Sequence, residues 1–332
     1  MTALDTWGYR CHTWMGYLVV PETMEIRAAR EARLSESYEE FRPLMFSIAY
    51  RMLSSASEAE DIVQEAFLRF HRESGKGTAI ESPKAYLSTI TTRLSIDHLR
   101  SARVRRESYV GTWLPEPLLT DTEADVTQHA ETADSLSMAF LVLLESLTPV
   151  ERAVFLLREV FEYGYDEIAT VVGKSEDNCR QISVRARRQI EAKKPRFEAS
   201  RTRREELARR FFEAVAGGDA QGLVSLLAAD VVAYGDGGGK GPAFPRPVYG
   251  RDRVARVLLG PTARGERLGV SGMRFVAING QPGALFLDPE GRPVAAVTLD
   301  IADDVVQTVR AVSNPEKLGH LGTFAGPPDA EV

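Results

Sequence analysis

Arg180 and Gln181 carry side chains shaped to read base edges. A guanidinium matches the acceptors of guanine, and a carboxamide matches the donor–acceptor pair of adenine. Arg185, Arg187, Arg188, Lys193 and Lys194 follow in the same basic stretch and suit phosphates. A second set, Arg93, Asp97 and Arg100, is spaced 0, +4, +7 beside Arg103, Arg105 and Arg106. That pattern suits tracking of a single-stranded backbone and holding of an unstacked base. A third set, Asp61, Gln64, Glu65 and Leu68, shares one helix face at 0, +3, +4, +7. A polar face with one apolar residue fits docking onto another protein, or plain solvation. In the C-terminal half, Tyr234, Asp236 and His320 are the candidates for pocket catalysis, and no pair has diagnostic spacing, so no catalytic residue is assigned. The run Asp236-Gly237-Gly238-Gly239-Lys240 lacks the spacing of a phosphate loop and reads as a turn. No metal site and no cofactor is assigned.

The chain that must position these groups has 332 residues, 44% hydrophobic and 27% charged, with a net charge of −6. That is an ordinary globular composition with enough apolar material for two or three domains. Two cysteines, Cys11 and Cys179, give no disulfide framework, and no stretch is long and apolar enough to span a bilayer. These features, with no secretory signal pattern, predict a cytoplasmic protein that does not engage membranes. The net charge averages unlike segments. Residues 93–106 hold five arginines against Asp97, residues 174–196 hold eight basic residues against three acids, and residues 107–151 hold nine acids and no Lys or Arg. Two basic patches joined by an acidic connector keep nucleic-acid binding open despite the acidic total.

Residues 1–34 show no clear period and read as a poorly ordered extension, with Met24 as an alternative start. From about residue 35 to 106 the pattern is helical. Ile62, Val63, Ala66, Phe67 and Phe70 form one stripe behind a predicted Ser57 N-cap, and Ser82-Pro83 opens the next helix. Residues 107–133 read as an acidic linker. Helices resume over 134–195, where Thr148-Pro149-Val150-Glu151 is a capping-box start. Residues 166–172, the Gly173-Lys174-Ser175 turn and the helix from Glu176 have helix-turn-helix order, with Cys179, Ile182, Ala186 and Ile190 as the core stripe. Over 201–320 two amphipathic helices precede short strands at 231–234, 273–278, 284–287, 294–301 and 305–312, which predicts an α+β domain. Residues 321–332 read as a loose tail.

The run from Ser57 to Phe70 resembles the second conserved region of bacterial sigma-70 family factors, in the extracytoplasmic-function (ECF) branch. Ala85–Ile90 with Ile96–Arg100 resembles the adjacent region that melts and reads the −10 promoter element. Leu147-Thr148-Pro149 through Glu167-Ile168-Ala169 to Arg185-Ala186-Arg187-Arg188 resembles the fourth region, which reads the −35 element. Arg93 and Tyr86 depart from the Asn and Trp frequent in the family. The C-terminal half resembles SnoaL-like cone domains. One group of these factors carries such a domain, with motifs similar to Trp113-Leu114-Pro115-Glu116-Pro117, Asp236–Lys240 and Asn314-Pro315-Glu316-Lys317-Leu318.

The resemblance implies two all-α sigma domains, the second with a helix-turn-helix, followed by an α+β cone-like domain. It implies a non-enzymatic transcription initiation factor whose partners are RNA polymerase core enzyme and promoter DNA. Core binding then falls to Asp61, Gln64, Glu65 and Leu68, and −10 contacts to Arg93, Asp97, Arg100, Arg103, Arg105 and Arg106. The −35 contacts fall to Ser175, Asn178, Arg180, Gln181, Arg185, Arg187 and Arg188. Trp113, Pro115, Asp236, Lys240, Asn314 and Lys317 are expected to form one regulatory assembly, with Trp113 as its anchor and cis control of activity as its role. The C-terminal domain leaves room for an unidentified small ligand. A SnoaL-like enzyme or ligand sensor fused to a DNA-binding module is the alternative. A dimeric helix-turn-helix repressor leaves the Asp61–Phe70 motif unexplained.

Overall fold

The computed structural model describes residues 24–76, 80–107, 109–120, 133–192, 200–262, 269–325 and 330–331, with side chains undescribed at 24–35, 102–107, 133–134, 261–262 and 330–331. The chain divides into a short unit, Met1–Glu40, and a compact body, Phe41–Val332. Helix α1 spans Met24–Leu53, so helix begins well before residue 35, where an irregular extension was expected.

Helix α2 (Ala56–Ser74) is capped by Ser55, whose hydroxyl accepts from the Glu58 amide, so the predicted Ser57 cap lies two residues too late. Helix α3 (Pro83–Glu107) starts at its proline as expected. Two short helices follow the linker: α4 (Ala133–Leu136) and α5 (Met138–Leu144), the latter capped by Ser137. Helix α6 (Pro149–Glu159) carries the predicted capping box between Thr148 and Glu151. Helix α7 (Tyr165–Val172) ends on Gly173 at φ 66°, and α8 (Glu176–Glu191) starts on Ser175. The left-handed Gly173 turns α7 into α8 without the Cβ clash another residue would suffer. Val154, Leu157, Ile168, Val171, Cys179 and Ile182 form the core of this helix-turn-helix.

The helices on either side of the linker share one apolar core. Ile48 and Leu53 of α1, Ile96 and Leu99 of α3, Phe140 and Leu144 of α5, Phe155 of α6, and Ala186 and Ile190 of α8 belong to a single buried cluster. Arg152 of α6, 2% exposed, crosses the same interface: it donates to the Met52 carbonyl at 2.7 Å and pairs with Glu145 at 2.9 Å.

The C-terminal domain opens with α9 (Arg201–Ala216) and α10 (Ala220–Leu226). Strands β1 (Leu227–Asp236), β2 (Val248–Tyr249), β3 (Gly272–Ile278), β4 (Gln281–Leu287), β5 (Pro293–Ala302), β6 (Val305–Val312) and β7 (Ala330–Glu331) form one sheet, ordered β2-β1-β6-β5-β4-β3-β7. Among the described residues, only the β1–β6 pair is parallel, pairing Ala233 with Val309 and Asp236 with Val312. Helix α11 (Arg251–Thr262) lies between the strands and was not among the expected elements. The expected loose tail folds back: the Phe324 amide bonds Gly291 O at 2.9 Å and β7 pairs with β3.

Side-chain alternation explains how the sheet is covered. Along β4, Ala284 and Phe286 face the core under the three helices, together with Phe211 and Phe212 of α9. Leu285 and Leu287 face the other way, into a cluster with Leu114 of the linker and Met138 of α5. Both faces are therefore buried, one by the domain's own helices and the other by the segment joining the two helical regions.

Candidate functional site

The linker is the point at which three parts of the chain meet. Asp236, at the end of β1 and 0% exposed, receives four hydrogen bonds. Its Oδ1 accepts from the Tyr109 hydroxyl at 2.5 Å and the Gly238 amide at 3.1 Å, and its Oδ2 from the Leu114 amide at 2.8 Å and Lys317 Nζ at 2.8 Å. Lys317 also donates to the Leu114 carbonyl, and its ammonium sits 4.2 Å from the Trp113 ring centroid and 5.0 Å from that of Tyr109. Asn314 caps the short helix α12 (Pro315–Leu318) and donates from Nδ2 to the Tyr109 oxygen at 2.9 Å. Lys240 pairs with Glu316. Gly238 takes φ 57°, and a Cβ there would strike the Asn314 side chain, so the glycine run lets the turn close on the Asn-Pro segment. Burial and the Asp236 hydrogen bond push the Tyr109 phenol above its ordinary value, which keeps it a donor.

On its other side the linker is fixed to the first helical domain. The Glu116 carboxylate accepts from the Ala56 and Ser57 amides at 2.8 and 3.0 Å and from the Ser55 hydroxyl at 2.8 Å. It thereby serves free N–H groups and the positive end of α2. Tyr50, fully buried, donates to the Glu116 carbonyl at 2.6 Å, and burial raises its phenol as well. Asn279 and Gly280, with φ 56° and 69°, form the tight β3–β4 turn, which inserts here. The Asn279 Nδ2 donates to Tyr50 at 2.7 Å and to Leu136 O at 3.0 Å, while its Oδ1 accepts from the Leu118 amide at 3.0 Å. His320, in the 3-10 turn Gly319–Leu321, donates from Nε2 to the Pro117 carbonyl at 2.8 Å. Pro115 is buried.

The expected regulatory residues are thus brought together, with Trp113 covered by Lys317. Tyr50, Tyr109, Glu116 and Asn279 belong to the same junction and were not selected from sequence. An Asn-Gly pair between apolar runs signals a hairpin, but nothing local shows that the turn docks on another domain. Among the catalysis candidates, Asp236 is saturated by hydrogen bonds, His320 is spent on the linker, and Tyr234 lies against Arg310 at 5.8 Å. They do not converge on an open pocket.

The expected polymerase-facing residues are accessible. Asp61 and Gln64 are exposed, Leu68 is 52% exposed, and Glu65 pairs with Arg69 at 2.7 Å. On α3, Asp97 and Arg100 pair with each other at 3.1 Å. Arg93 is engaged by the helix-turn-helix: it donates to the Val171 and Thr170 carbonyls at 2.9 and 2.7 Å, at the C-terminal end of α7. The Tyr163 hydroxyl donates to Ser88 of α3 at 2.7 Å, so α3 is packed on the helix-turn-helix domain at two points. The side chains of Arg103, Arg105 and Arg106 lie outside the described residues.

On α8, Cys179, Ile182, Ala186 and Ile190 are buried as expected, and burial pushes the Cys179 thiol up, as befits a core residue. Asn178, Arg180, Gln181, Arg185, Arg187 and Arg188 are exposed on the opposite side. Arg180 is held by Glu176 and Asp177 at 3.0 and 3.1 Å, Arg185 lies 3.9 Å from Glu151, and Arg187 pairs with Glu159, which raises its guanidinium. Ser175 spends its hydroxyl oxygen on the Asn178 amide as the helix cap.

Comparison with known proteins agrees with this arrangement. Residues 37–105 match the family model Sigma-70 region 2, and residues 137–190 match Sigma-70, region 4. The chain is 37% identical to the ECF RNA polymerase sigma factor SigJ of Mycobacterium tuberculosis over 84% of its own length and 91% of that protein. It is 32% identical to the probable ECF sigma factor SigI of the same species, over 68% of this chain and 76% of SigI. The crystal structure of M. tuberculosis SigJ superposes with a TM-score of 0.68 at 33% identity, covering 86% of this chain and 98% of that one. The chain therefore belongs to the ECF RNA polymerase sigma factors, subunits that direct core polymerase to promoters, and joins its two sigma regions to a C-terminal α+β domain.

Proposed function

We propose that the three parts divide the work of initiation and that the C-terminal domain controls the other two in cis. Residues 35–106 bind core polymerase through Asp61, Gln64, Glu65 and Leu68 and the −10 element through Arg93, Asp97, Arg100, Arg103, Arg105 and Arg106. Residues 134–195 read the −35 element, with Arg180 and Gln181 on bases and Arg185, Arg187 and Arg188 on phosphates, flanked by Ser175 and Asn178. Residues 107–133 connect the two, residues 201–320 form the controlling domain, and the protein acts in the cytoplasm.

The observation that carries the control reading is the double attachment of one linker. Asp236 and Lys317 hold Tyr109 and Leu114, while Glu116, two residues further on, caps α2 of the sigma domain. A change in the C-terminal domain therefore acts at once on the segment that sets the spacing of the two DNA-binding parts. The same arrangement occupies Arg93 with α7 carbonyls. Release of α3 from α7 frees that guanidinium for nucleic acid, and closure withholds it.

Run-off transcription with core polymerase tests the reading, using full-length protein and chains ending near Ala199 and before Asn314. Changed promoter-dependent yield in both shortened chains supports cis control. Yields equal to full length in both refute it and leave a passive, tethered domain.

A further inference from the structure

A cavity of about 820 Å³ lies between α1, the linker residues Leu118–Thr120, and the α9 and β3–β4 side of the C-terminal domain. Its volume is within the range of roughly 300–1,000 Å³ typical of small-molecule sites. Arg42, Arg51, Arg201, Arg204 and Arg209 line it against a single acid, Glu205. Arg42 is paired with Glu60 and Arg201 with Glu205. Arg51, Arg204 and Arg209 have no ion-pair partner among the described residues. Arg51 is buried, which lowers its guanidinium to about 10, and is hydrogen-bonded to serines at 47 and 135. Arg209 stacks on Phe275 at 5.0 Å. The Nε–H of Arg204 and the Oε1 of Gln281 are sealed from solvent and lack hydrogen-bond partners among the described residues. Such groups cost free energy until something bonds them.

We propose that this cavity binds an aromatic organic anion that also carries a hydrogen-bond donor. Each part of that description answers a part of the wall. The guanidiniums of Arg204 and Arg209, without carboxylate partners among the described residues, call for negative charge. Phe46 and Phe275, both only partly buried, offer ring surfaces for a flat apolar body. Gln281 Oε1 is an acceptor in want of a donor. The catalysis candidates Asp236 and His320 lie elsewhere, on the linker clasp, so the site is one for binding. Because α1 supplies one wall and the C-terminal domain the other, a bound molecule stabilises the joined arrangement by mass action. The binding site stands on the cavity alone; its effect on transcription rests on the cis-control reading.

The probe is 6-hydroxy-2-naphthoate, titrated by fluorescence into the full-length protein. The comparators are 2-naphthol, which keeps the rings and hydroxyl but lacks the carboxylate, and inorganic phosphate, which has only the charge. Saturable binding of the naphthoate is expected, with 2-naphthol at least about tenfold weaker and phosphate a poor competitor. Arg204→Gln weakens binding about tenfold, and Glu205→Gln, which removes the one acid of the wall, tightens it a few-fold. Thermal melting reads folding of each variant, and if Arg204→Gln does not fold, Glu205→Gln decides alone. No saturable binding, equal binding of 2-naphthol, full displacement by equimolar phosphate, or unchanged affinity in the folded variants overturns the proposal. Saturable binding with unchanged transcript yield overturns the cis-control reading and leaves the site standing.

Discussion

Replacing Asp236 by Asn is the sharpest perturbation of the linker clasp, because it preserves shape and removes charge. Lys317, 7% exposed, then loses the counter-ion 2.8 Å from its ammonium. Breaking a buried pair by removing one partner costs about 3–5 kcal/mol, since the other charge stays buried. Asparagine also misplaces donors. Oδ2 faces the Leu114 amide and Lys317, while Oδ1 faces the Gly238 amide and the Tyr109 hydroxyl, so an NH₂ group meets an N–H donor in either flip. That adds about 1–3 kcal/mol for groups left without acceptors. The expected loss is thus about 4 kcal/mol or more, a large share of the roughly 5–15 kcal/mol of a typical domain. Lys317→Met should cost less, about 2 kcal/mol, because the carboxylate keeps three donors. The double variant should recover part of the sum, with a coupling of about 2 kcal/mol. Urea unfolding followed by Trp113 fluorescence, with Trp7 and Trp14 replaced by Phe, measures all three. An Asp236→Asn loss below about 1 kcal/mol, strictly additive with Lys317→Met, would show that the pair does not hold the linker.

Three further outcomes follow, two from the exposed faces and one from buried phenols. The double change Asp61→Lys with Glu65→Lys should abolish pull-down of core polymerase with nearly unchanged melting, because the exposed Glu65–Arg69 pair it breaks is worth only about 0.5 kcal/mol; retained pull-down refutes the docking face. Arg180→Ala should cost about 1–3 kcal/mol in promoter affinity and relax preference at one base, whereas Arg187→Ala should weaken all sequences alike and lower the salt slope by about one, both read by binding titrations over a salt series. Burial raises the folded-state phenols of Tyr50 and Tyr109 above the ordinary 10.0, so both remain protonated in the fold while the unfolded chain ionises. Their contribution is fully present below pH 10 and is lost as pH rises toward the folded values; Tyr50→Phe should flatten this alkaline loss in unfolding titrations, and an unchanged limb refutes the assignment.

What the sequence revealed were features encoded locally. Thr148-Pro149 with Glu151, Gly173 before Ser175, and the Cys179–Ile190 stripe each specify their element through contacts within a few residues, and each is found where expected. The junction is different in kind. Tyr50 and Asn279 are hydrogen-bonded across 229 positions of chain, and Ser55 and Glu116 across 61. A glutamate in a Pro-bracketed loop has no local signature of a helix cap for a helix it precedes in space but follows in sequence. The same distance explains Arg93, whose spacing with Asp97 and Arg100 pointed to nucleic acid while its fold partner is the end of α7. Helix α11 was not among the expected elements; packing of Val254 and Ala255 into the domain core holds it in place.

The energetics of the seam bear on how control would operate. Leu114, Met138 and Ile278 come from the linker, α5 and the sheet, and all three are at most 2% exposed in one cluster. Burying three such side chains contributes roughly 5–9 kcal/mol. Moving a two-state element from 1:99 to 99:1 takes about 5.5 kcal/mol, so thermal fluctuation alone does not open this seam. The polar contacts act differently. Glu116, Asn279 and Asp236 exchange protein for water partners on opening, at a modest net cost each, but they permit only one register of linker against sheet. Apolar area therefore supplies the closure and buried polar groups supply its geometry. On the cis-control reading, opening must draw on binding energy from outside the chain. On the proposed docking face of Asp61, Gln64, Glu65 and Leu68, which the seam leaves uncovered, bound polymerase would deliver it without first breaking the clasp.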